Sequence, residues 1–256
     1  MDIFHAIILG IIEGITEFLP ISSTGHLVLA SHILHIPDTA FVKSFEITIQ
    51  LGAIGAVLAL YWHSFLRIEV LKKLFVAFLP IGIIGLALYK FVKAYLIGNE
   101  YVILGALLLG GIAIIIFEMM YKEHEDAIVD PFSISYKQAL GVGLFQSIAI
   151  IPGVSRSAAT IVGGLLLGFR RAAIVEFSFL LAVPTMVAAT GLDLLKNYSI
   201  FSSTDLVSLG AGFVTAFLVA IIAIRFLLKY IQTHTFISFG IYRIALAIVF
   251  LLMFIQ

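Results

Sequence analysis

Ile3–Leu19, then Pro20-Ile21-Ser22-Ser23-Thr24-Gly25-His26, then Leu27–Ile36: an apolar run is interrupted by a proline, three hydroxyls and a histidine. A helix that crosses a bilayer needs about 20 predominantly apolar residues. The pieces on either side of the break are marginal or short, and the break is too polar to face lipid. The pattern recurs as Ala139–Ile151, Pro152-Gly153-Val154-Ser155-Arg156-Ser157 and Ala158–Phe169. Non-helical backbone at membrane depth is tolerated only where protein or a polar cavity surrounds it. Both units therefore read as re-entrant helix-loop-helix hairpins, rather than as pairs of full helices turning at a surface.

The rest of the chain supports a bilayer as solvent. Of 256 residues, 62% are hydrophobic and 12% charged, against roughly 25% charged in a soluble domain. Six further apolar segments are long enough to cross: Phe45–Trp62, Leu74–Phe91, Val102–Met120, Phe177–Leu195, Leu206–Leu227 and Phe239–Ile255. The expected architecture is an all-α integral membrane protein of six transmembrane helices plus two hairpins, residues 1–256 forming one membrane domain. Lysine and arginine balance aspartate and glutamate at 15 each, so charge makes no case for nucleic acid. Cysteine is absent, which excludes disulfides and thiolate metal sites. The opening Met1-Asp2-Ile3 lacks the basic region of a secretory signal, so the N-terminus is expected to be retained.

The two halves, about 1–120 and 137–256, repeat weakly. A shift of 133 residues aligns Gly10 with Gly143, Glu13 with Gln146 and Ser22 with Ser155; a shift of 132 aligns Pro20 with Pro152 and Phe45 with Phe177. Each half is a hairpin followed by three spans. Three is odd, so the second hairpin enters from the opposite face, giving an inverted-topology repeat with sites expected near the midplane. Placing the N-terminus outside puts Arg67, Lys72, Lys73, Lys122, Lys137, Arg170, Arg171, Arg225, Lys229 and Arg243 in the cytoplasm. Lys43, Lys90, Lys93 and Lys196 then lie outside. Ten against four satisfies the positive-inside rule.

Ionisable residues inside such a domain are costly and mark candidate sites. Glu13 and Glu17 share a helix face and repel unless a cation, a proton or an arginine lies between them. A protonated carboxyl in a helix contact is the plainer alternative. The string Ser22-Ser23-Thr24-Gly25 leads into a helix whose N-terminus it can cap, or where it can bind an anion. Ser155-Arg156-Ser157 repeats this arrangement, and Arg156 suits phosphate. If both loops meet, they surround a cavity fitted to phosphate or diphosphate with a divalent cation. Gln50 either faces that cavity or bonds a neighbouring helix. Glu176 is expected to begin a helix and serve its dipole. His5, His32, His35, His63, His124 and His234 read as interfacial, and Glu123-His124-Glu125-Asp126 as a solvated loop.

Glu13-Gly14-Ile15-Thr16-Glu17-Phe18-Leu19-Pro20-Ile21-Ser22-Ser23-Thr24-Gly25-His26 resembles the first signature of the bacterial undecaprenyl-diphosphate phosphatases, also called bacitracin-resistance proteins. Pro152-Gly153-Val154-Ser155-Arg156-Ser157-Ala158-Ala159-Thr160 resembles the second. Phe45–Val57 and Glu176–Pro184 are also similar, so the likeness spans nearly the whole chain. Two departures are the short loop after Trp62 and Ala158 in place of a frequent glycine. The resemblance implies hydrolysis of undecaprenyl diphosphate to undecaprenyl phosphate, recycling the carrier for cell-wall synthesis and conferring bacitracin resistance. It also implies a bacterial plasma membrane location, an active site opening to the outer face, and a divalent cation, Mg2+ or Ca2+, on Glu13 and Glu17.

Ser23 is expected as nucleophile, Glu17 as its base, Glu13 as cation ligand or second base, Arg156 as phosphoryl clamp and His26 as general acid or base. Ser22, Thr24, Gly25, Ser155, Ser157, Thr160 and Gln50 are expected to bind substrate. Two rival schemes stay open: His26 as nucleophile, or metal-bound water. The partners expected are the prenyl diphosphate and membrane lipids; homodimer formation stays open. A transporter or flippase of a lipid phosphate or small anion is the alternative function, since a repeat architecture does not fix activity.

Overall fold

The first helix runs Ile3–Thr16 (α1), because Asp2 accepts the free backbone N–H of His5 at its start and the polar break ends it. In a computed structural model, which describes residues 1–123, 126–197 and 205–254, nine more α-helices follow. These are α2 Ser23–Ile33, α3 Ala40–Phe65, α4 Ile68–Phe91, α5 Glu100–Met120, α6 Tyr136–Gln146, α7 Arg156–Leu166, α8 Arg171–Asn197, α9 Asp205–Tyr230 and α10 Ile237–Phe254. A π-turn, Val92–Leu96, extends α4, and a 3-10 turn, Ser147–Ile150, extends α6. The described residues contain no strand, only a parallel bridge between Ile128 and Phe169.

Among the described residues, five helical stretches are long and apolar enough to cross a membrane: Ala40–Phe65, Ile68–Leu96, Glu100–Met120, Arg171–Asn197 and Asp205–Tyr230. All begin before the apolar runs that announced them, since polar flanking residues are drawn into the first turn. The sixth expected span corresponds to α10, which counts with α1 among the shorter apolar helices. Its expected last residue, Ile255, lies outside the described residues, as do His124 and Glu125. The break after Trp62 is short because α3 bends at Tyr61 and continues to Phe65. Outward faces are apolar, with Leu86, Leu109, Ile222 and Leu252 all more than 60% exposed. Water would penalise such a surface. Lipid does not, and the chain is a multi-pass membrane protein.

The hairpin arms are short. α1 has 14 residues and α2, α6 and α7 have 11 each, or roughly 21 and 16 Å of helix at 1.5 Å per residue. Their packing is exchanged between the halves: α1 lies on α9, and α6 lies on α4. Glycine makes both crossings close. A Cβ on Gly10 would stand 2.6 Å from the Gly212 carbonyl, one on Gly14 2.7 Å from that of Ala216, and one on Gly143 would strike the Ala77 carbonyl. Small residues let helix backbones approach where lipid offers no hydrophobic drive to associate. At the centre lie α3 and α8. From Ala173 to Val183, only Glu176 of α8 is more than slightly exposed.

Two charge assignments are corrected. α8 begins at Arg171, so Glu176 lies in the second turn, beyond the reach of the N-terminal dipole. Arg243, expected in a cytoplasmic segment, is wholly buried in the second turn of α10. Arg171 bonds Glu118 at 2.7 Å and Glu123 at 2.8 Å, and Glu118 accepts the Phe236 backbone N–H at 3.2 Å. These contacts tie the ends of α5, α8 and α10 together.

Candidate active site

The two polar breaks touch. Ser157 at the start of α7 donates its hydroxyl to the Phe18 carbonyl at 2.7 Å, and Arg156 Nη2 meets Glu17 Oε1 at 3.0 Å. Both breaks turn at a serine in the left-handed region, Ser22 at φ 73° and Ser155 at φ 74°. These are the residues that the 133-residue shift aligned. Non-glycine residues seldom adopt this conformation, and it persists only where the surroundings hold it. Each serine caps the helix it opens. Ser22 Oγ accepts from Gly25 N at 3.3 Å, and Ser155 Oγ from Ala158 N at 3.2 Å. Capping thus occupies these two hydroxyls.

Between the caps runs a buried polar chain. Ser23 Oγ donates to Glu17 Oε2 at 2.7 Å. The other oxygen of Glu17 takes the Arg156 guanidinium, whose Nη1 donates to the Ser178 carbonyl at 2.9 Å and to Ser178 Oγ at 3.3 Å. Thr160 Oγ1 closes the chain against Ser178 Oγ at 2.6 Å. Glu17, Ser23 and Arg156 are each under 10% exposed, and Thr160 and Ser178 are sealed. Two charges this deep are tolerated because they pair and most of their remaining polar atoms are hydrogen-bonded. Arg156 Nε keeps a free donor.

Glu13 is wholly buried, and no hydroxyl, backbone N–H or cationic side chain bonds its carboxyl oxygens; its neighbour within hydrogen-bonding reach is another carboxyl, that of Glu17. It sits within electrostatic reach of Glu17, Glu46 and Arg156. Such an orphaned group at a site calls for a ligand, and its chemistry fits a hard cation. Glu17 fits less well, with both oxygens already bonded. Among the described residues no group of three His, Cys, Asp or Glu could hold a metal unaided. Mg2+ often takes only one or two carboxylates and completes its shell with substrate phosphates and water, so this sparse set is compatible with one.

The other expected residues divide. His26 belongs to α2 but not to the Ser23–Glu17–Arg156 chain. Its Nδ1 lies 2.7 Å from the Ser22 carbonyl and its Nε2 2.8 Å from the Tyr242 hydroxyl, with the two rings stacked. A carbonyl only accepts, so Nδ1 carries a proton; in the neutral ring Nε2 then accepts from Tyr242. Thr24 is exposed, and Gly25 packs on Leu107. Gln50 is half-buried on α3 and forms no side-chain hydrogen bond among the described residues.

Three participants escaped the sequence reading. Ser178 was visible as a lone hydroxyl within Phe177–Leu181. Tyr242 gave no signal. Arg243 stood inside an apolar segment, but the charge count had assigned it to a loop. In the structure Arg243 donates to backbone carbonyls of both breaks, Pro20, Gly153 and Val154.

Comparison with known proteins agrees with this geometry. Residues 6–249 match the family described as bacitracin resistance protein BacA. A protein of Wolinella succinogenes named undecaprenyl-diphosphatase is 54% identical over 252 residues, 98% of each chain. One of the same name from Aquifex aeolicus is 49% identical over 256 residues, the whole of both chains. A third, from Methanococcus aeolicus, is 46% identical over 257 residues, again covering both completely. With the paired signatures meeting at one buried site, and relatives this similar from end to end, the chain belongs to the bacitracin resistance protein BacA family.

Proposed function

We infer that this protein hydrolyses undecaprenyl diphosphate to undecaprenyl phosphate and phosphate, returning the lipid carrier to cell-wall synthesis and lowering sensitivity to bacitracin. The observation that carries the reading is the buried Ser23–Glu17–Arg156 chain: a hydroxyl, a base bonded to it and a phosphate-binding cation in one place. Transport requires charge complementarity but no hydroxyl–base pair, so the flippase alternative leaves that pair unexplained. Phosphate release from undecaprenyl diphosphate by the purified protein in detergent, with no second compartment, tests the assignment. An inert protein that binds the lipid overturns it.

The mechanism proposed starts at Ser23. Its Oγ attacks the terminal phosphorus as its proton passes to Glu17 Oε2. The anhydride P–O bond breaks and undecaprenyl phosphate leaves with the proton that Glu17 passes on to it; Glu17, again a carboxylate, then takes a proton from the water that attacks the phosphoserine, and that proton returns to Ser23 Oγ as phosphate departs. Arg156 holds the equatorial oxygens, where charge gathers in a phosphoryl transfer. His26 orients the break through Ser22 and Tyr242; with both ring nitrogens engaged, it is poorly disposed to be the nucleophile. A divalent cation beside Glu13 would neutralise the leaving phosphate. Holding a cation requires Glu13 as a carboxylate; Glu13, Glu17 and Arg156 then sum to one negative charge, which a divalent cation would turn into a positive one facing the diphosphate. Chelation with EDTA should therefore abolish turnover, with Mg2+ or Ca2+ restoring it. Glu13→Gln should raise the cation concentration required by at least about ten-fold, since loss of even an indirect metal partner costs that much. Full activity after exhaustive chelation would refute the requirement.

The membrane arrangement proposed keeps six spans, α10 included, and two re-entrant hairpins in an inverted repeat. In its support stand the short arms and the exchanged packing of α1 on α9 and α6 on α4. With Arg243 withdrawn, nine basic residues against four still favour both termini on the outer face of the plasma membrane, with the site opening outward. A cysteine at position 122 of this cysteine-free chain should react with an impermeant reagent only after the cells are opened. Labelling in intact cells would reverse the orientation.

A further inference from the structure

Arg243 is fully buried, and its acceptors are all backbone carbonyls. Nε donates to Leu107 O at 3.4 Å, Nη1 to Pro20 O at 3.4 Å and Val154 O at 3.0 Å, and Nη2 to Ala106 O at 2.7 Å and Gly153 O at 2.9 Å. A guanidinium has five N–H donors, and all five are used. Three of the acceptors lie in the two helix breaks, where the helical ladder no longer supplies partners and apolar surroundings make an unpaired carbonyl costly. The other two belong to α5. One side chain thus holds the first break, the second break and a spanning helix at once. Gly110 makes room for it, because a Cβ there would collide with the guanidinium.

We propose that Arg243 is the positioning residue that sets the register of the two serine-bearing breaks, and so the fit of Ser23 and Glu17 on one break to Arg156 on the other. It touches no reacting atom and acts through the backbone. Lysine cannot substitute, since its donors share one nitrogen and cannot span carbonyls on three segments. The proposal rests on the phosphatase reading above, and its test is built to separate the two.

Full-length R243K, R243M and G110A are assayed in detergent on undecaprenyl diphosphate, with thermal midpoints measured alongside. R243K keeps the charge and loses the fork; G110A pushes the fork from behind. Both should stay folded and lose kcat on the order of 10²-fold, the effect of a displacement near 1 Å, while KM moves less than about three-fold. Wild-type kcat in R243K would show that charge alone matters and overturn the proposal. So would wild-type kcat in G110A, or a rise in KM with kcat unchanged. A second readout needs no activity. Cysteines replacing Ile21 and Val154, beside the two carbonyls that share Nη1, should cross-link efficiently with Arg243 in place and poorly in R243K or R243M. Equal yields would also overturn the proposal. Wild-type protein inert toward the lipid would remove the phosphatase reading, leaving the cross-link to judge the register.

Discussion

Arg156→Ala should lower kcat/KM for undecaprenyl diphosphate by on the order of 10³- to 10⁵-fold, the range observed when an arginine that stabilises a phosphoryl transition state is withheld. Two effects combine. The substitution removes the guanidinium bonded to Glu17, and with it the free Nε donor available to a phosphoryl oxygen. It also leaves the buried Glu17 carboxylate without its ion-pair partner, which costs about 3–5 kcal/mol in folded proteins. Arg156→Lys separates the two. Lysine restores charge opposite Glu17 and so recovers stability, but it cannot reach Glu17, Ser178 and a phosphoryl oxygen together. The thermal midpoint should return most of the way to wild type while turnover stays at least about 10²-fold down. Wild-type turnover in Arg156→Lys would remove bidentate recognition from the mechanism.

Ser23→Ala should cost on the order of 10⁴-fold or more in kcat if Ser23 is the nucleophile, because such residues leave only the background supplied by binding and electrostatic stabilisation. The stability change should be modest, as alanine keeps the helix and Glu17 retains Arg156. A water nucleophile predicts a different result: Ser23 is then a spectator bonded to Glu17, and a substantial fraction of activity survives. Rapid quenching of the wild-type protein, mixed with substrate labelled in the terminal phosphate, should trap the label on position 23 before the water-consuming step removes it. Label on His26 instead would transfer the nucleophile there. That outcome would require His26 to turn away from both Ser22 and Tyr242.

The membrane class, the two polar breaks and most of the ionisable cluster could be read from the chain alone, because each depends on local properties. Thirty charges cannot coat 256 residues in water. Pro20 and Pro152 interrupt apolar runs at matching places. Glu13 and Glu17 share a face by helical geometry. The weak shift also paired Ser22 with Ser155, and these proved to be the two serines in the left-handed region. Whether Arg156 would find a ligand or a carboxylate stayed open, since both satisfy a buried cation equally well on paper. Helix packing decided it, bringing Glu17 within 3.0 Å across 139 positions of chain.

Arg243 marks where local reading ended. A charge count treats an arginine near a helix end as a loop residue, and in most membrane proteins its long side chain escapes to the interface. Here no escape is needed, because Pro20, Gly153, Val154, Ala106 and Leu107 converge on it from distant parts of the chain, and Gly110 leaves the space. Glu176 missed its expected role for a similar reason, since helix α8 starts at Arg171, six residues before its apolar run. Sequence by itself determined which residues would be too polar for lipid and had to turn inward, because transfer cost is a property of the side chain. Only the tertiary structure decided which carbonyl, carboxylate or hydroxyl each would meet, because hydrogen bonds are directional and short, and their partners are set by how the helices cross.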